Sequence, residues 1–136
     1  MQYTRVYADT LGETHYGEVE VALSSVDFAP PALPVNLSAL HTATRWGFCH
    51  FPAGWSGPWH RTPQRQFFCL LYGEMEVQVS DGEVRKFGPG SMVLHEDTTG
   101  KGHLSRVVGP TDALTVMVQL PADRPGEESA AEEGPH

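Results

Sequence analysis

The chain has 136 residues, a length that one domain fills and that leaves no room for two hydrophobic cores. Seventeen acidic residues against nine Lys and Arg give a net charge of −8, and no basic cluster interrupts this balance, which excludes nucleic acid and anionic membrane surfaces as expected partners. Fourteen Gly and eleven Pro break the chain too often for long helices, so the composition favours an all-β fold.

The sequence also predicts a reducing, cytoplasmic environment. No apolar run reaches the roughly 20 residues of a membrane span, and the N-terminal MQYTRVYADT has no apolar stretch of the signal-peptide type. The two cysteines, Cys49 and Cys69, are enough for one disulfide, but in such a compartment we expect both to be thiols that pack as small apolar side chains.

The N-terminal part of the chain predicts short strands followed by a proline-rich arm. Apolar or alternating pieces at Tyr3–Tyr7 and Glu18–Leu23 are typical of edge strands, and Gly12 and Gly17 are expected to interrupt them. Three prolines within Pro30–Pro34 forbid a regular strand interior, so we expect an extended arm lying on a surface.

The central part of the chain predicts a series of short strands. The clearest pattern is the alternation of Met75–Val79, followed by Asp81-Gly82, a dipeptide typical of tight hairpins, and a return strand at Val84–Phe87. Further strands are predicted at Ala43–Phe51, Phe67–Leu71, Met92–His95, His103–Val108 and Leu114–Leu120. About eight to ten short strands without a helical period indicate a sandwich or a closed barrel.

The predicted domain organisation has three parts. Residues 1–42 form strands and an arm that pack on the core, and residues 43–120 form the core itself. Residues 121–136 are acidic and lack large apolar side chains, so we expect a disordered tail whose removal from Ala122 leaves the melting temperature nearly unchanged.

Two short motifs carry a family resemblance. Counted back from Gly73, His60, Thr62 and Gln66 occupy the His, His and Glu positions of the first cupin motif, and the segment Thr98–His103 matches the second motif, Pro-x-Gly-x-x-His, at the Gly and the His. Residues 45–120 therefore resemble the cupin superfamily, and in particular its small bacterial single-domain members. The resemblance implies an all-β fold, a single cupin jelly-roll β-barrel with an N-terminal extension and the acidic tail.

The resemblance also implies a site inside the barrel. Cupins commonly hold a divalent transition metal such as Fe, Mn, Ni, Cu or Zn through three His and one Glu. The corresponding metal ligands and catalytic residues here are His60, Gln66 and His103. Because Thr62 and Gln66 are poorer ligands than His and Glu, two interpretations stay open: a weakly held metal, or a metal-free pocket in which the same residues contact the substrate directly.

A set of residues around these positions is predicted to bind substrate. If the strand through His60 is unbroken, every second residue up to Leu70 shares one face, which the resemblance directs into the barrel. Trp55 and Trp59 flank the turn before His60, where a Trp side chain either covers a ligand or closes the barrel end. The predicted substrate-binding residues are Trp59, Thr62, Gln64, Phe68 and His95. Alternatively, the two glutamines only bond to the backbone or to each other, and Pro63 bulges the strand.

The segment His95-Glu96-Asp97 permits two interpretations. It is either a solvated turn with charge at the barrel rim, or it places an acid near an imidazole as a substitute ligand or proton carrier. His50 precedes the first motif and is expected to be structural.

The resemblance implies a small-molecule enzyme of the dioxygenase, isomerase, cyclase or dehydratase type. The alternative is a non-catalytic small-molecule-binding module, which the loss of two ligand positions favours. A purely structural partner in a larger complex is a third interpretation. We also expect a homodimer, with the Pro30–Pro34 arm as the strap between subunits.

Overall fold

The computed structural model describes residues 1–122, and all of its regular elements are strands. In chain order they are β1 (Gln2–Ala8), β2 (Thr14–Glu20), β3 (Ser24–Val26), β4 (Val35–Leu37), β5 (Arg45–Phe51), β6 (Ser56–His60), β7 (Gln66–Tyr72), β8 (Glu74–Val79), β9 (Val84–Phe87), β10 (Met92–His95), β11 (His103–Val108) and β12 (Ala113–Gln119). The predicted all-β fold is confirmed.

Two sheets face each other across the core. A six-stranded sheet has the order β2-β1-β10-β7-β12-β5, and a four-stranded sheet has the order β6-β11-β8-β9. Val6 and Val93 from the first sheet pack on Val77 and Val79 from the second. Because consecutive strands mostly lie in different sheets or apart in the same sheet, the arrangement is a jelly roll, as the sequence predicts.

The β8–β9 hairpin forms where its pattern predicts it. Met75, Val77 and Val79 are buried while the residues between them are more exposed, so the alternation turns one face of β8 to the core. The turn passes through Gly82, whose φ of 101° lies in the region that favours glycine.

The N-terminal strands differ from the prediction in two ways. β2 is an edge strand, but β1 is interior, since it pairs antiparallel with β2 and parallel with β10. Gly17 lies within β2, opposite Arg5, and does not interrupt it. A Cβ at Gly17 would lie 3.2 Å from Cγ of Arg5, so the glycine makes room for the stem of that arginine.

The predicted extended arm at Pro30–Pro34 is wrong. The segment instead joins β3 to β4, which pair antiparallel in a small separate sheet. The amide of Ala32 donates a hydrogen bond to the carbonyl of Ala29 at 2.9 Å, which closes a turn around the first two prolines. Proline fixes φ near the value that turns require, and this preference prevails here over an extended conformation.

Two further predictions concern the acidic tail and the cellular location. From residue 123 onward the acidic tail lies outside the described residues, so its removal stays a prediction. Within residues 1–122 no helix is long and apolar enough to cross a membrane. The cytoplasmic location stays a prediction.

Candidate functional site

A cavity of about 290 Å³ lies between the two sheets. Most of its wall is apolar, with aromatic and aliphatic side chains from both sheets, including Phe51, Phe68, Leu70, Val77, Val93 and Met117. Its polar side chains include three histidines, His60, His95 and His103, which we call the histidine cluster. An apolar cavity with a few convergent polar groups has the composition of a small-molecule site.

Strand pairing brings the histidine cluster together from both sheets. His103 on β11 lies opposite His60 on β6, and His95 on β10 lies opposite Gln66 on β7. The ring centres of His60 and His103 are 4.5 Å apart, and those of His95 and His103 are 4.7 Å apart. The two motifs thus meet in one cavity although they belong to distant parts of the chain.

Asp97 is the acidic partner of the cluster. Its side chain is 0% exposed, and its Oδ2 lies 2.5 Å from Nδ1 of His103. Its backbone carbonyl accepts a hydrogen bond from the amide of Thr62 at 3.1 Å. The interpretation of residues 95–97 as a solvated rim turn is therefore wrong, because the polypeptide folds inward after β10.

The side chain of Glu96 is 5% exposed, and it is not part of the cavity wall. Its two carboxylate oxygens accept hydrogen bonds from Nε of Arg5 at 2.8 Å and Nε of Arg65 at 2.7 Å. This ion pair ties the strand end that carries His95 to β1 and to the segment before β7.

The protonation states of the acidic and imidazole groups follow from their surroundings. Burial lowers the pKa of His95 and outweighs the neighbouring Asp97 carboxylate, which favours the charged imidazolium. Burial alone raises the pKa of Asp97, but its hydrogen bond with His103 and the proximity of His95 together lower it. At neutral pH the site therefore holds a neutral His95 imidazole beside a carboxylate.

Two buried atoms of this group have no hydrogen-bond partner. They are Nδ1 of His95 and Oδ1 of Asp97, which lie 3.9 Å apart. Buried polar atoms are nearly always hydrogen-bonded, so a pair without partners points to a bound water or ion.

The residues at the other two family positions are engaged with each other. The buried side-chain amide of Gln66 donates to the hydroxyl of Thr62 at 3.3 Å, and its oxygen accepts from Nε2 of Gln119 at 3.2 Å. The Thr62 hydroxyl donates to the carbonyl of Gln64 at 3.1 Å. Both residues line the cavity, but their polar atoms already have protein partners.

Three predicted substrate-binding residues differ in their position relative to the cavity. Phe68 lines the cavity, and its ring meets the His95 ring edge-on at 5.3 Å between centres. Gln64 lies outside the cavity wall and donates to the carbonyl of Leu120 at 3.2 Å. Trp59 is exposed and is not part of the wall, whereas Trp55 is, and packs on Phe51.

The strand through His60 is interrupted, and of the alternate residues from 60 to 70 only Gln64 leaves the cavity wall. The chain leaves β6 at His60 and enters β7 only at Gln66, and the segment between them contains Pro63, which has no amide proton for a ladder. From Gln66 onward the alternation is regular, and Gln66, Phe68 and Leu70 all line the cavity.

A metal can be tested against these side chains. His95, Asp97 and His103 each offer one ligand atom, and these atoms all lie within 4.8 Å of one another. No other group of three or more His, Cys, Asp or Glu in residues 1–122 satisfies this condition. The ligand set from the resemblance, His60, Gln66 and His103, contains no carboxylate, whereas the observed cluster does.

Asp97 is a candidate functional residue that the two motifs do not include. Alternation along an extended chain places residues i and i+2 on the same side, so the pair His95 and Asp97 carries a signal of its own. Burial of that pair depends on the loop after β10, which the sequence does not specify locally.

Comparison with known proteins agrees with this architecture. A family model described as Cupin domain matches residues 47–118, more than half of the chain. The protein belongs to this cupin family. A search of curated proteins by sequence found no match.

Solved structures share the fold at low sequence identity. An RmlC-like cupin family protein with a double-stranded β-helix fold from Methanocaldococcus jannaschii is 16% identical, covers 85% of this chain and 99% of its own, and gives a TM-score of 0.50. A Cupin 2 conserved barrel domain protein from Salinispora arenicola is 16% identical over 83% of each chain, with a TM-score of 0.49. The first of these supports the fold and nothing beyond it.

Proposed function

We propose that the protein is an enzyme that holds a compact, largely apolar small molecule in the cavity and acts on its polar group through the histidine cluster. The observation that carries this proposal is the buried pair of Asp97 and His103 beside an apolar cavity of about 290 Å³. Small-molecule sites begin at about 300 Å³, so the volume favours a small substrate.

The cavity wall binds and orients the substrate. Apolar side chains such as Phe51, Phe68 and Met117 bury its carbon skeleton and exclude water. Among the described wall residues, the histidines are the only imidazoles, and the remaining polar groups are neutral hydroxyls and an amide, so a hydroxyl, carbonyl or carboxyl group is expected to face the histidines. This would direct the reacting part of the substrate toward His103.

His103 is the group we assign to proton transfer. Its Nδ1 donates to the Asp97 carboxylate, which fixes the ring orientation and leaves Nε2 as the nitrogen that accepts a proton. The proton leaves a carbon or oxygen of the substrate, resides on Nε2, and returns to another substrate atom, as an isomerase, cyclase or dehydratase requires. His60 donates through Nδ1 to the carbonyl of Pro58 at 2.6 Å, so it also keeps one nitrogen available.

A second candidate is a non-catalytic binding module. The mutual hydrogen bonds of Thr62 and Gln66 favour it, because neutral groups occupy two positions where other cupins place ligands. In either case the histidines contact the bound molecule directly or through a divalent transition metal such as Fe, Mn, Ni, Cu or Zn.

A paired measurement distinguishes the two candidates. A panel of small hydroxy, keto and carboxylic compounds is first tested for saturable binding by calorimetry, and the compounds that bind are then tested for turnover. For a substrate, we expect His103→Gln to lower kcat/KM at least about 100-fold while substrate affinity changes only a few-fold. The matched control is His50→Gln, an exposed histidine paired with Asp112, which is expected to leave both values unchanged.

Each outcome has a definite consequence. Turnover that survives His103→Gln contradicts the assignment of proton transfer to this residue. Saturable binding without turnover supports the binding module instead, and a panel that does not bind at all argues against both candidates.

We also propose that the protein forms a homodimer. On β5, an edge strand of the six-stranded sheet, Trp46 and Phe48 are 70% and 62% exposed and contact each other edge-on, with ring centres 5.8 Å apart. Light scattering at micromolar concentration is expected to give twice the mass of 14.9 kDa, and Phe48→Glu is expected to halve it. A wild-type monomer would exclude the dimer.

A further inference from the structure

We infer that the protein binds one divalent transition metal ion through His95, Asp97 and His103, with Asp97 as the acidic ligand instead of a group at position 66. The inference deepens the proposed function and rests on it, because two of these ligands line the cavity in which the small molecule is held. The site departs from the positions that the family resemblance implies, since two of its three ligands come from the end of β10 and the loop after it.

The distance between the unpartnered atoms of His95 and Asp97 is one that an ion can bridge. The ligand atoms of the three residues lie within 4.8 Å of one another, and Nδ1 of His95 is 3.9 Å from Oδ1 of Asp97. This gap is too long for a hydrogen bond. Two atoms that each bind an ion at about 2.1 Å can be as far as about 4.2 Å apart, so a single ion reaches both.

Burial gives the second argument. His95 is 6% exposed and Asp97 is 0% exposed, yet Nδ1 of the first and Oδ1 of the second have no hydrogen-bond partner. An unsatisfied buried polar atom is costly, and a cation would satisfy a lone pair of the imidazole and an oxygen of the carboxylate together.

Charge gives the third argument. Among the described residues, the cavity wall that includes His95 and His103 contains no Lys or Arg that would repel a cation. Two imidazoles and one carboxylate form a donor set suited to Fe, Mn, Ni, Cu or Zn and leave coordination positions open. An ion held in this way would occupy Nε2 of His103 and would supply a Lewis acid to the polar group of the bound molecule. In the loaded protein, proton transfer then falls to Nε2 of His60, the cluster nitrogen that stays free.

The residues at the ligand positions of the family motifs form a poorer set of metal ligands. The side-chain oxygen of Gln66 already accepts from Gln119, and the hydroxyl of Thr62 donates to a backbone carbonyl. His60 is exposed and does not belong to the group whose ligand atoms lie close together, although its ring is near His103. Of these residues, only His103 takes part in the site that we infer.

The experiment measures metal uptake by the tag-free, metal-stripped full chain with no organic ligand present. Calorimetric titration with Mn²⁺, Ni²⁺ and Zn²⁺ is expected to give one ion per chain for the tightest of them, and elemental analysis of the dialysed complex checks the ratio. Asp97→Asn and His95→Gln are each expected to lower the affinity at least about 100-fold. Gln66→Glu and His60→Gln are the matched controls and are expected to change it less than about threefold.

Each result either supports or overturns the inference. If Gln66→Glu raises the affinity tenfold or more while Asp97→Asn leaves it unchanged, the ion lies at the family positions. If the wild type takes up no ion, a water molecule occupies the gap between His95 and Asp97. The visible spectrum of the Co²⁺ form supplies a readout independent of stability, since it is expected to change in His95→Gln and to stay the same in His60→Gln, and circular dichroism verifies that each variant is folded.

Failure of this inference is separable from failure of the proposed function. Binding of the organic panel by the metal-stripped protein, with turnover that depends on His103, would leave the proposed function standing when no metal is taken up. Metal uptake without binding of any compound of the organic panel would support the metal site and contradict the proposed function.

Discussion

Gly102→Ala is expected to lower the free energy of unfolding by about 3 kcal/mol or more. Gly102 has a φ of 77°, and a Cβ at this position would lie 2.2 Å from the carbonyl oxygen of His60 and 2.5 Å from its carbonyl carbon. Both are backbone atoms, so no side chain can rotate away. The contact can be relieved only by separating β6 from β11, the two strands that bring His60 and His103 together.

Gly82→Ala is the matched control for this substitution. Gly82 also has a positive φ, 101°, but a Cβ there would meet nothing within 4 Å. Its substitution therefore costs only the backbone strain, about 1 kcal/mol. Urea unfolding of both variants measures the difference, and equal losses of stability would contradict the steric account.

Glu96→Gln is expected to destabilise the fold by about 2–3 kcal/mol. The carboxylate bonds to Arg5 and Arg65, whose side chains are 10% and 20% exposed, so its removal takes one charged hydrogen-bond acceptor from each of two largely buried guanidinium groups. Removing one partner of a buried ion pair destabilises a protein by more than the intact pair stabilises it, although partial exposure of Arg65 reduces the loss.

The control for the Glu96 prediction is Glu83→Gln in the β8–β9 turn. Glu83 also bonds to an arginine, Arg85, but 45% of its side chain is exposed. Its substitution is expected to change the free energy of unfolding by less than about 0.5 kcal/mol. A loss at Glu96 no larger than the loss at Glu83 would show that the two arginines are adequately solvated without the carboxylate.

Local patterns predicted the parts of the fold that depend on local chemistry. The β8–β9 hairpin follows from strict alternation and a turn dipeptide, both of which act within a few residues. The spacing of His60 and His103 indicated a shared cavity because it belongs to a family pattern, and not because either residue carries such information alone.

The parts of the fold and of the site that local patterns did not predict depend on contacts between distant segments. The interior position of β1 results from its pairing with β10, almost ninety residues later, and the burial of Asp97 results from the amide of Thr62 and the ring of His103. A proline-rich segment is compatible with both an arm and a turn, and the pairing of β3 with β4 decides between them. None of these partners can be identified from a short window of sequence.

The parallel pairing of β1 with β10 also affects how the domain can be divided. Val6 lies opposite His95, and its carbonyl accepts a hydrogen bond from the amide of Glu96, so a strand outside the family-matched region 47–118 holds the backbone that carries the candidate ligands. A fragment trimmed to that region would leave one edge of β10 unpaired and Glu96 without Arg5. Recombinant work on the site, including any graft of it into another scaffold, therefore has to carry the first eight residues along.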